Sequence, residues 1–292
     1  MVSLLPQTKK ICSIEINAEG IAFACAQNSE ITACSFTPCK DNIQLKQCLM
    51  DVVLKNNLKK TTCNWVLHPD QYHLTLVNTP NVPQFEYKNA VRWQVKDIIS
   101  YPLEDVAIEI FYRDDLEKRP KKIYVVAAQS SFLQKTIGVI KECHLQPTAI
   151  DIREFAIRNL VTNLVPENEL VGFLDITEES CLVVIVQQNR IQFVRQVPLG
   201  INKIKTDNYN ELTNELQRSF NYCSSELKQT IPAMFFLPPS AYINPDIAQN
   251  IAKILGKEMA VLNLQKMLRF TTPISPETEA HCWAAIGGVL RK

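Results

Sequence analysis

The feature that most constrains the fold of this chain is a pattern of strands and turns that occurs twice, at a constant offset of 160 residues. In each copy a first strand ends near an acidic residue, and a turn, two further strands and a helix follow. Glu15 of the first copy aligns with Asp175 of the second, and Ile31 aligns with Ile191. Because turn residues between β-rich runs are the signal of hairpins, each copy predicts three hairpin-connected strands followed by a helix.

The two copies share few identical residues, so the match is one of pattern. Two unrelated three-stranded meanders would give the same pattern, and the sequence leaves that alternative open. A duplication predicts two β-β-β-α-β-α domains, which resemble the two-lobed actin-like (ribonuclease H-like) α/β fold. That fold binds a nucleotide in the cleft between its duplicated domains, but a fold alone does not determine function.

The composition agrees with about two domains, since the chain has 292 residues and a domain has roughly 100–200. The charge is balanced, with 31 Lys and Arg residues against 30 Asp and Glu residues. The most basic stretch, 118–122, lies beside Asp114, Asp115 and Glu117, so its local field is largely cancelled. Nucleic-acid-binding proteins usually carry a basic excess, so no nucleic-acid partner is expected.

Ten cysteines are scattered along the chain without the C-x-x-C spacing of zinc and redox sites. We expect them to pack as small apolar side chains in a reducing compartment. No stretch approaches the roughly 18–20 apolar residues of a membrane-spanning helix, and the start of the chain does not have the pattern of a signal peptide. The sequence therefore predicts a cytoplasmic protein that reaches a membrane only through a partner.

Periodicity places further elements around the two copies. Helices are predicted over 41–56 with Asp41 as N-cap, 84–99, 132–143 with Ser130 or Ser131 as N-cap, 153–164, 207–228 and 247–255. Strands are predicted over 106–112, 123–128, 147–151 and 232–237.

The helix over 84–99 lies between the two copies, which indicates an inserted subdomain. The predicted organisation is a first actin-like domain whose N-terminal part is 1–80, an insert over 81–120, the remainder of the first domain with a crossover helix over 121–165, and a second actin-like domain over 166–292.

Five segments resemble one known family, and two of them, 125–128 and 145–151, resemble its strand–helix–strand unit. The first, 91–106, reads Val-Arg-Trp-Gln-Val-Lys-Asp-Ile-Ile-Ser-Tyr-Pro-Leu-Glu-Asp-Val and resembles that family's insert, although Ser100 stands where its first proline is expected. Residues 193–200 resemble its F-x-R-x-I-P-x-G motif, and 284–291 resemble its final helix. The order of these motifs resembles the PilM/MshI proteins of type IV pilus assembly. The cytoplasmic part of GspL, of type II secretion, belongs to a related family that continues into a membrane span.

The resemblance implies three turns at which family members bind ATP: two glycine-containing hairpin turns for the phosphates and a Gly-Gly turn near the adenosine. Glycine matters there because it permits positive φ and close backbone approach. In this sequence Asn17 and Thr177 stand at the glycine positions of the hairpin turns. Pro238-Pro239 replaces the Gly-Gly pair, and Glu178 and Glu179 bring negative charge to the second turn.

Four residues are therefore expected to mark a vestigial cofactor-binding cleft: Glu15, Asn17, Asp175 and Thr177. Two interpretations of the acids Glu15 and Asp175 stay open, since they could position a metal or water, or cap a hairpin. ATP with Mg²⁺ is disfavoured as a cofactor, no metal site or catalytic residue is predicted, and the chain is expected not to be an enzyme.

The resemblance also implies a partner. In PilM-like proteins the first domain and its insert form a groove for the short N-terminal cytoplasmic segment of the inner-membrane protein PilN. The corresponding residues here are Trp93, Ile98, Tyr101 and Pro102. Aromatic side chains contribute much of the binding energy at such contacts. The alternative is that Trp93 and Ile98 form the core of the insert, since they recur at helical spacing.

Two functions follow from these observations. The first is a scaffold, peripheral to the inner membrane, in the assembly platform of an MSHA-like type IV pilus. It would bind a PilN-like protein, with the pilus motor ATPase as a further candidate partner. The second is an actin-fold ATP-binding protein or ATPase that acts as a nucleotide-dependent switch. The substituted turns favour the scaffold.

Overall fold

The computed structural model describes residues 10–39, 42–112, 122–207, 209–240 and 243–291, and it confirms the mixed α/β class. The strands in these ranges are β1 Ile11–Ile16, β2 Gly20–Gln27, β3 Glu30–Pro38, β4 Thr62–Leu67, β5 Tyr72–Asn78, β6 Val106–Phe111, β7 Lys122–Gln129, β8 Gln146–Ile152, β9 Val171–Ile176, β10 Cys181–Gln187, β11 Arg190–Val197, β12 Met234–Leu237, β13 Glu258–Val261 and β14 Arg269–Phe270. The helices are α1 Asn42–Lys55, α2 Tyr87–Arg92, α3 Ser130–Glu142, α4 Arg153–Leu164, α5 Ile201–Asp207, α6 Asn210–Ser225, α7 Pro245–Leu255, α8 Leu264–Met267 and α9 Pro276–Val289.

Two of the sheets repeat one strand order. The six-stranded sheet has the order β14-β3-β2-β1-β4-β8, and the five-stranded sheet has the order β11-β10-β9-β12-β13. In both, three consecutive strands form a meander, and the next strand of the repeat joins on the far side of its first strand. The strand order of the first copy thus recurs in the second, as a duplicated unit predicts. Strands β5, β7 and β6 form a separate three-stranded sheet.

The described residues divide into two compact units. The C-terminal unit takes in 10–13, 22–36 and the described residues from 154 onward. The N-terminal unit takes in 14–21 and the described residues between 37 and 153. The domain boundaries that the sequence predicts after residues 80, 120 and 165 stay a prediction.

The hairpins β2–β3 and β10–β11 turn in the same way. The turn residues have positive φ in both, 55° at Asn28 and 63° at Ser29, and 51° at Gln188 and 58° at Asn189. Two successive residues of this kind form the type I′ turn, whose twist matches that of the flanking strands. The predicted repeat therefore extends to the geometry of its turns.

The burial of the cysteines and the absence of a membrane-spanning helix among the described residues agree with the sequence predictions. None of the ten cysteines forms a disulfide, and eight of them are buried, so these eight pack in the interior as predicted. Among the described residues no helix is both long and apolar enough to cross a membrane.

Helix α1 of the N-terminal unit corresponds to the helix predicted over 41–56. Its buried side chains recur at helical spacing: Leu45, Leu49, Val52 and Val53. The predicted N-cap, Asp41, lies outside the described residues. The basic run at 118–122 also lies outside them, apart from Lys122 at the start of β7.

The prediction of a single helix over 84–99 is wrong. Helix α2 forms only the middle of it, between two 3₁₀ turns. Beyond α2 the backbone keeps the tighter 3₁₀ hydrogen-bond pattern, because Ile98 N–H donates to the carbonyl of Val95, three residues earlier, over 3.1 Å. The helix is short because its buried apolar stripe is narrow. The stripe has only three side chains, four residues apart: Tyr87, Val91 and Val95. Short helices need such packing to be stable, and here it supports little more than two turns.

The stripe of α2 packs on one face of the three-stranded sheet. Ile123, Val125 and Ala127 alternate along β7, so they share that face. The buried core that results consists of Tyr87, Val91, Val95, Val106, Ile123, Val125 and Ala127. This small α/β layer includes the described residues 81–112 of the predicted insert, whose status as a separate subdomain stays a prediction.

The N-terminus of α3 is capped by a residue that the sequence did not indicate. Ser130 and Ser131 were the predicted N-caps, but the N-cap position is Gln129, which makes no side-chain cap bond. Asp105 caps the helix instead, accepting hydrogen bonds from Ser131 N–H at 2.8 Å and Ser131 Oγ at 2.6 Å. A third bond comes from Gln129 Nε2 at 2.9 Å. Together these bonds lower the pKa of the Asp105 carboxyl.

Helices α4 and α9 of the C-terminal unit pack closely at a glycine. A Cβ on Gly287 would lie closer than 3.0 Å to the backbone of Ala156. Asn159 Nδ2 also donates a hydrogen bond to the Gly287 carbonyl, at 3.0 Å. Glycine allows this approach because it has no side chain. The bounds of α4 agree with the predicted helix over 153–164.

The other two helices predicted in this unit are also present. Helix α6 is shorter than the predicted 207–228, and its buried positions include Leu212, Leu216, Phe220 and Cys223. Helix α7 begins earlier than the predicted 247, because Asn244 Oδ1 caps it by accepting from Ile247 N–H at 2.9 Å.

Candidate functional site

The first candidate turn, Asn17 to Gly20, connects β1 to β2. Asn17 N–H donates to the Gly20 carbonyl over 3.0 Å, which closes the turn. The Asn17 side chain then folds back, and its Oδ1 accepts from Glu19 N–H at 2.9 Å and Gly20 N–H at 3.0 Å. Two backbone donors of this turn, the amides of Glu19 and Gly20, are therefore bound by the side chain of its own first residue.

The second candidate turn, Thr177 to Ser180, connects β9 to β10 and closes in the same way. Thr177 N–H donates to the Ser180 carbonyl over 2.9 Å. Thr177 Oγ1 accepts from Ser180 N–H at 3.1 Å, and its hydroxyl lies 3.1 Å from the Ser180 carbonyl. In both copies a polar side chain has replaced the expected glycine and binds a turn amide.

The Thr177 turn is also held from outside by the start of α5. Ile201 N–H donates to the Thr177 carbonyl at 2.9 Å, and Asn202 N–H donates to the Glu178 carbonyl at 3.1 Å. A Cβ on Gly200 would lie closer than 3.0 Å to these two carbonyl groups. Asn202 Nδ2 also binds the Glu179 carboxylate at 2.6 Å. The glycine of the Pro-Leu-Gly segment is thus explained by backbone packing.

Glu15, the acid near the end of β1, forms an ion pair with Arg153. Glu15 is 1% exposed and Arg153 is 6% exposed. Glu15 Oε1 accepts from Arg153 Nε at 2.9 Å and from its terminal nitrogen at 2.8 Å. Sequence reasoning missed Arg153, because 138 positions separate it from Glu15. The carboxylate is therefore neutralised by a residue of the chain itself.

His68 lies in the field of the same guanidinium. Burial and then the charge of Arg153 lower the pKa of His68, against the opposing effect of the Asp70 carboxylate, to a net value of about 4. His68 Nδ1 lies 3.1 Å from Asp70 Oδ2. No group of three or more His, Cys, Asp or Glu side chains in the described part of the chain could hold a metal ion.

Asp175 occupies the same place in β9 that Glu15 has in β1, one residue before the end of the strand. It is 5% exposed and stands opposite Leu182 of β10. Burial, together with the negative charge of Asp175, raises the pKa of the Cys181 thiol. The two predicted acids are thus both buried strand residues.

The third candidate turn follows β12. Pro238 and Pro239 are both buried there. Proline has no N–H, so neither residue offers a backbone donor.

The four residues predicted to bind a partner differ in their environment. Trp93 is 69% exposed and Ile98 is 40% exposed, so neither forms the core of the insert. Pro102 is exposed as well. Tyr101 is half-buried against the core of α2, and its hydroxyl is buried with no hydrogen-bond partner in the described structure. Burial and the nearby charge of Asp105 raise the pKa of this hydroxyl.

Sequence reasoning did not single out Phe85 and Tyr112 as surface residues. They are 82% and 40% exposed. The residue spacing could have indicated the exposure of Phe85, because Tyr87, Val91 and Val95 form the buried stripe, and Phe85 and Trp93 do not share their four-residue spacing.

Comparisons with known proteins identify the family. A sequence profile described as "Type IV pilus assembly protein PilM" matches residues 44–226. A search of curated proteins gave no match.

Solved structures with the same fold include the PilM–PilN type IV pilus biogenesis complex, at 19% identity and a TM-score of 0.74, with 98% of each chain covered. The cytoplasmic domain of EpsL, an inner-membrane component of the type II secretion system of Vibrio cholerae, matches at 12% identity and a TM-score of 0.55, over 97% of this chain and 96% of that one. A Bacteroides thetaiotaomicron protein with an actin-like ATPase fold and unknown function matches at 8% identity and 0.54, over 91% and 97%.

These three structures show that the fold is actin-like over nearly the whole chain. The profile covers well over half of it, so the chain belongs to the PilM family of type IV pilus assembly proteins.

Proposed function

We propose that this chain is a cytoplasmic scaffold of the inner-membrane assembly platform of an MSHA-like type IV pilus. It binds the cytoplasmic tail of a membrane partner and does not depend on ATP. Family membership and the fold shared with the PilM–PilN complex support the role in pilus assembly. The loss of nucleotide binding rests mainly on one observation, the engagement of the turn amides by Asn17 and Thr177.

A phosphate group needs free backbone N–H donors, which a turn offers only when nothing else binds them. Asn17 Oδ1 binds two such donors in the first turn, and Thr177 Oγ1 binds one in the second. A phosphate would have to displace these bonds, each worth about 0.5–1.5 kcal/mol net. It would then gain little over the contacts already present.

The charges around the turns also disfavour the binding of Mg-ATP. A magnesium ion at Glu15 would have to displace Arg153, and leaving one partner of a buried ion pair alone costs roughly 3–5 kcal/mol. Glu178 and Glu179 are exposed beside the second turn. Like charges about 4 Å apart repel by roughly 1 kcal/mol in water and 4 kcal/mol near a protein surface. These residues therefore do not fit Mg-ATP.

The proposed partner is a PilN-like inner-membrane protein, bound through its N-terminal cytoplasmic segment. We place its contact at Trp93, Ile98, Tyr101 and Pro102. The exposed side chains of Trp93 and Ile98 support this placement, because large apolar groups at a protein surface are favourable to bury in an interface. The pilus motor ATPase is a further candidate partner, proposed from the family resemblance alone.

Calorimetry with a synthetic peptide of the partner's N-terminal segment tests the contact. Replacing a central aromatic residue of an interface typically costs more than about 1.4 kcal/mol, which is tenfold in affinity. We therefore expect Trp93→Ala to weaken peptide binding about tenfold or more. Phe85→Ala is the matched control, because Phe85 is an even more exposed aromatic that is not among the proposed contact residues. Unchanged affinity in Trp93→Ala, or an equal loss in Phe85→Ala, contradicts the assignment.

A further inference from the structure

The two edges of the three-stranded sheet differ in how they are covered. The order β5-β7-β6 leaves β5 and β6 at the edges. Side chains spaced four residues apart along the α2 segment reach β6 and the residue after it: Gln84 to the Tyr112 hydroxyl at 3.0 Å, Lys88 to the Glu109 carboxylate at 2.8 Å, and Arg92 to the Val106 carbonyl at 3.3 Å. Ile110 N–H also donates to Glu109 Oε1, at 3.2 Å. Side chains thus engage two backbone groups of β6, the Val106 carbonyl and the Ile110 amide.

The β5 edge has no such protection. Its seven residues pair with β7 without a break in register, from Tyr72 opposite Ala128 to Asn78 opposite Lys122. In the described ranges no other strand pairs with β5, and no hydrogen bond joins the outward backbone groups of 73–78 to another part of the protein. The strand has no Asp, Glu, Lys, Arg or Pro and no bulge. Proteins normally protect a flat, uncharged edge of this kind, because it is a template for another strand.

The sequence of β5 is complementary to itself. In antiparallel pairing centred on Thr75, the two threonines face each other, Leu74 faces Leu76, and His73 faces Val77. Facing threonines and facing apolar residues both stabilise strand pairs, and no like charges meet. Such an interface is symmetric about a two-fold axis, which is the commonest arrangement in homodimers.

We propose that β5 docks on β5 of a second copy of this chain, antiparallel about Thr75, so that the two three-stranded sheets join into one of six strands. The contact is made by β5 and not by the residues proposed for the partner site around Trp93, so its failure would leave that proposal standing. A single strand pair buries less than the roughly 1,200–2,000 Å² of a stable complex. The dimer is therefore weak and forms only at high protein concentration.

Sedimentation velocity over a range from micromolar to millimolar protein tests the proposal. The wild type should shift from monomer to dimer. Thr75→Lys and Thr75→Glu should each weaken dimerisation about tenfold or more, because like charges directly opposite one another destabilise a strand pair. An equal mixture of the two variants should dimerise again as a heterodimer. Ala107→Lys on the β6 edge is the control and should dimerise like the wild type.

Hydrogen exchange of the wild type gives a second readout that needs no substitution. The outward amides of 73–78 should become protected as the concentration rises, and those of β6 should not change. A wild type that stays monomeric at every concentration overturns the proposal. The proposal is also overturned if Thr75→Lys and Thr75→Glu dimerise as strongly as the wild type. It is overturned as well if the mixture of the two variants dimerises no more strongly than each variant alone.

Discussion

At the scale of the residue, two polar side chains, Asn17 and Thr177, stand where the family resemblance leads us to expect glycines. The substitutions at Asn17 and Thr177 could be read from the sequence, because both follow a strand at equivalent places. Their hydrogen bonds to the turn amides could not be read from it, since they depend on the local backbone. The pairing of Glu15 with Arg153 was also hidden, because the two residues are distant in sequence.

Gly200 is predicted to tolerate a side chain poorly, for steric reasons. The atoms that a Cβ would meet are the backbone of Thr177 and Glu178, which cannot rotate away. Gly200→Ala should therefore lower the free energy of unfolding by about 1–3 kcal/mol, as overpacking does elsewhere. Urea denaturation measures this.

The control for that experiment is Gly138→Ala in α3, where a Cβ would meet nothing within 4 Å. Alanine is the better helix former, so this change should raise stability by about 0.5–1 kcal/mol. A Gly200→Ala variant as stable as the wild type would contradict the packing described here.

Tyr101 is predicted to tolerate the loss of its hydroxyl. That hydroxyl is buried and has no partner in the described structure. Removing such a group can be neutral or stabilising, so Tyr101→Phe should leave the free energy of unfolding unchanged or raise it by about 1 kcal/mol. Chemical denaturation of the two proteins gives the comparison. A clear loss of stability in Tyr101→Phe would mean that the hydroxyl has a partner in solution.

At the scale of the element, the sequence predicted what repeats and missed what depends on contacts from elsewhere. Helices α4 and α6 have apolar residues at helical spacing along several turns, and both lie close to their predicted bounds. Helix α2 was predicted too long, because exposed Trp93 and Ile98 were counted with the buried stripe. The cap of α3 was assigned to Ser130 or Ser131, whereas Asp105 provides it from 26 positions earlier.

The segment between β4 and β5 should make stability depend on pH. It is tied to β1, since Gln71 binds the Ile16 carbonyl at 2.8 Å and the His68 amide at 3.0 Å. The pKa of His68 in the folded chain is about 4, below the value of about 6.5 of an unfolded chain. Between these values the unfolded chain binds more protons, so stability is complete above about pH 6.5 and is lost as the pH falls toward 4.

Urea denaturation at pH 7 and pH 5 measures this contribution. The slope for one such group is at most about 1.4 kcal/mol per pH unit. His68→Asn keeps an acceptor for the Asp70 amide but does not titrate in this range. It should therefore lose less stability than the wild type between the two pH values. An equal loss in both proteins would show that His68 is not the group responsible.

At the scale of the whole molecule, one strand order is used twice, and the chain matches PilM-like folds over nearly all its length. The repeat was visible in the sequence because hairpin turns and alternating strands recur at a fixed offset. The fold leaves the function open, since actin-like proteins include enzymes and binding proteins alike. We propose that the turns decide between the two, because side chains of this chain bind three of their backbone amides, those of Glu19, Gly20 and Ser180.

Titration of the purified protein with millimolar Mg-ATP is the most direct test of this account. We expect no saturable heat by calorimetry and no rise in the thermal unfolding midpoint. A ligand at 100 times its Kd would stabilise the folded chain by about 2.7 kcal/mol, so the second readout detects binding even when its enthalpy is near zero. Saturable binding with a submillimolar Kd would contradict the account. It would mean that Glu15, Asp175 and the substituted turns form a nucleotide site, and that the protein is a nucleotide-dependent switch.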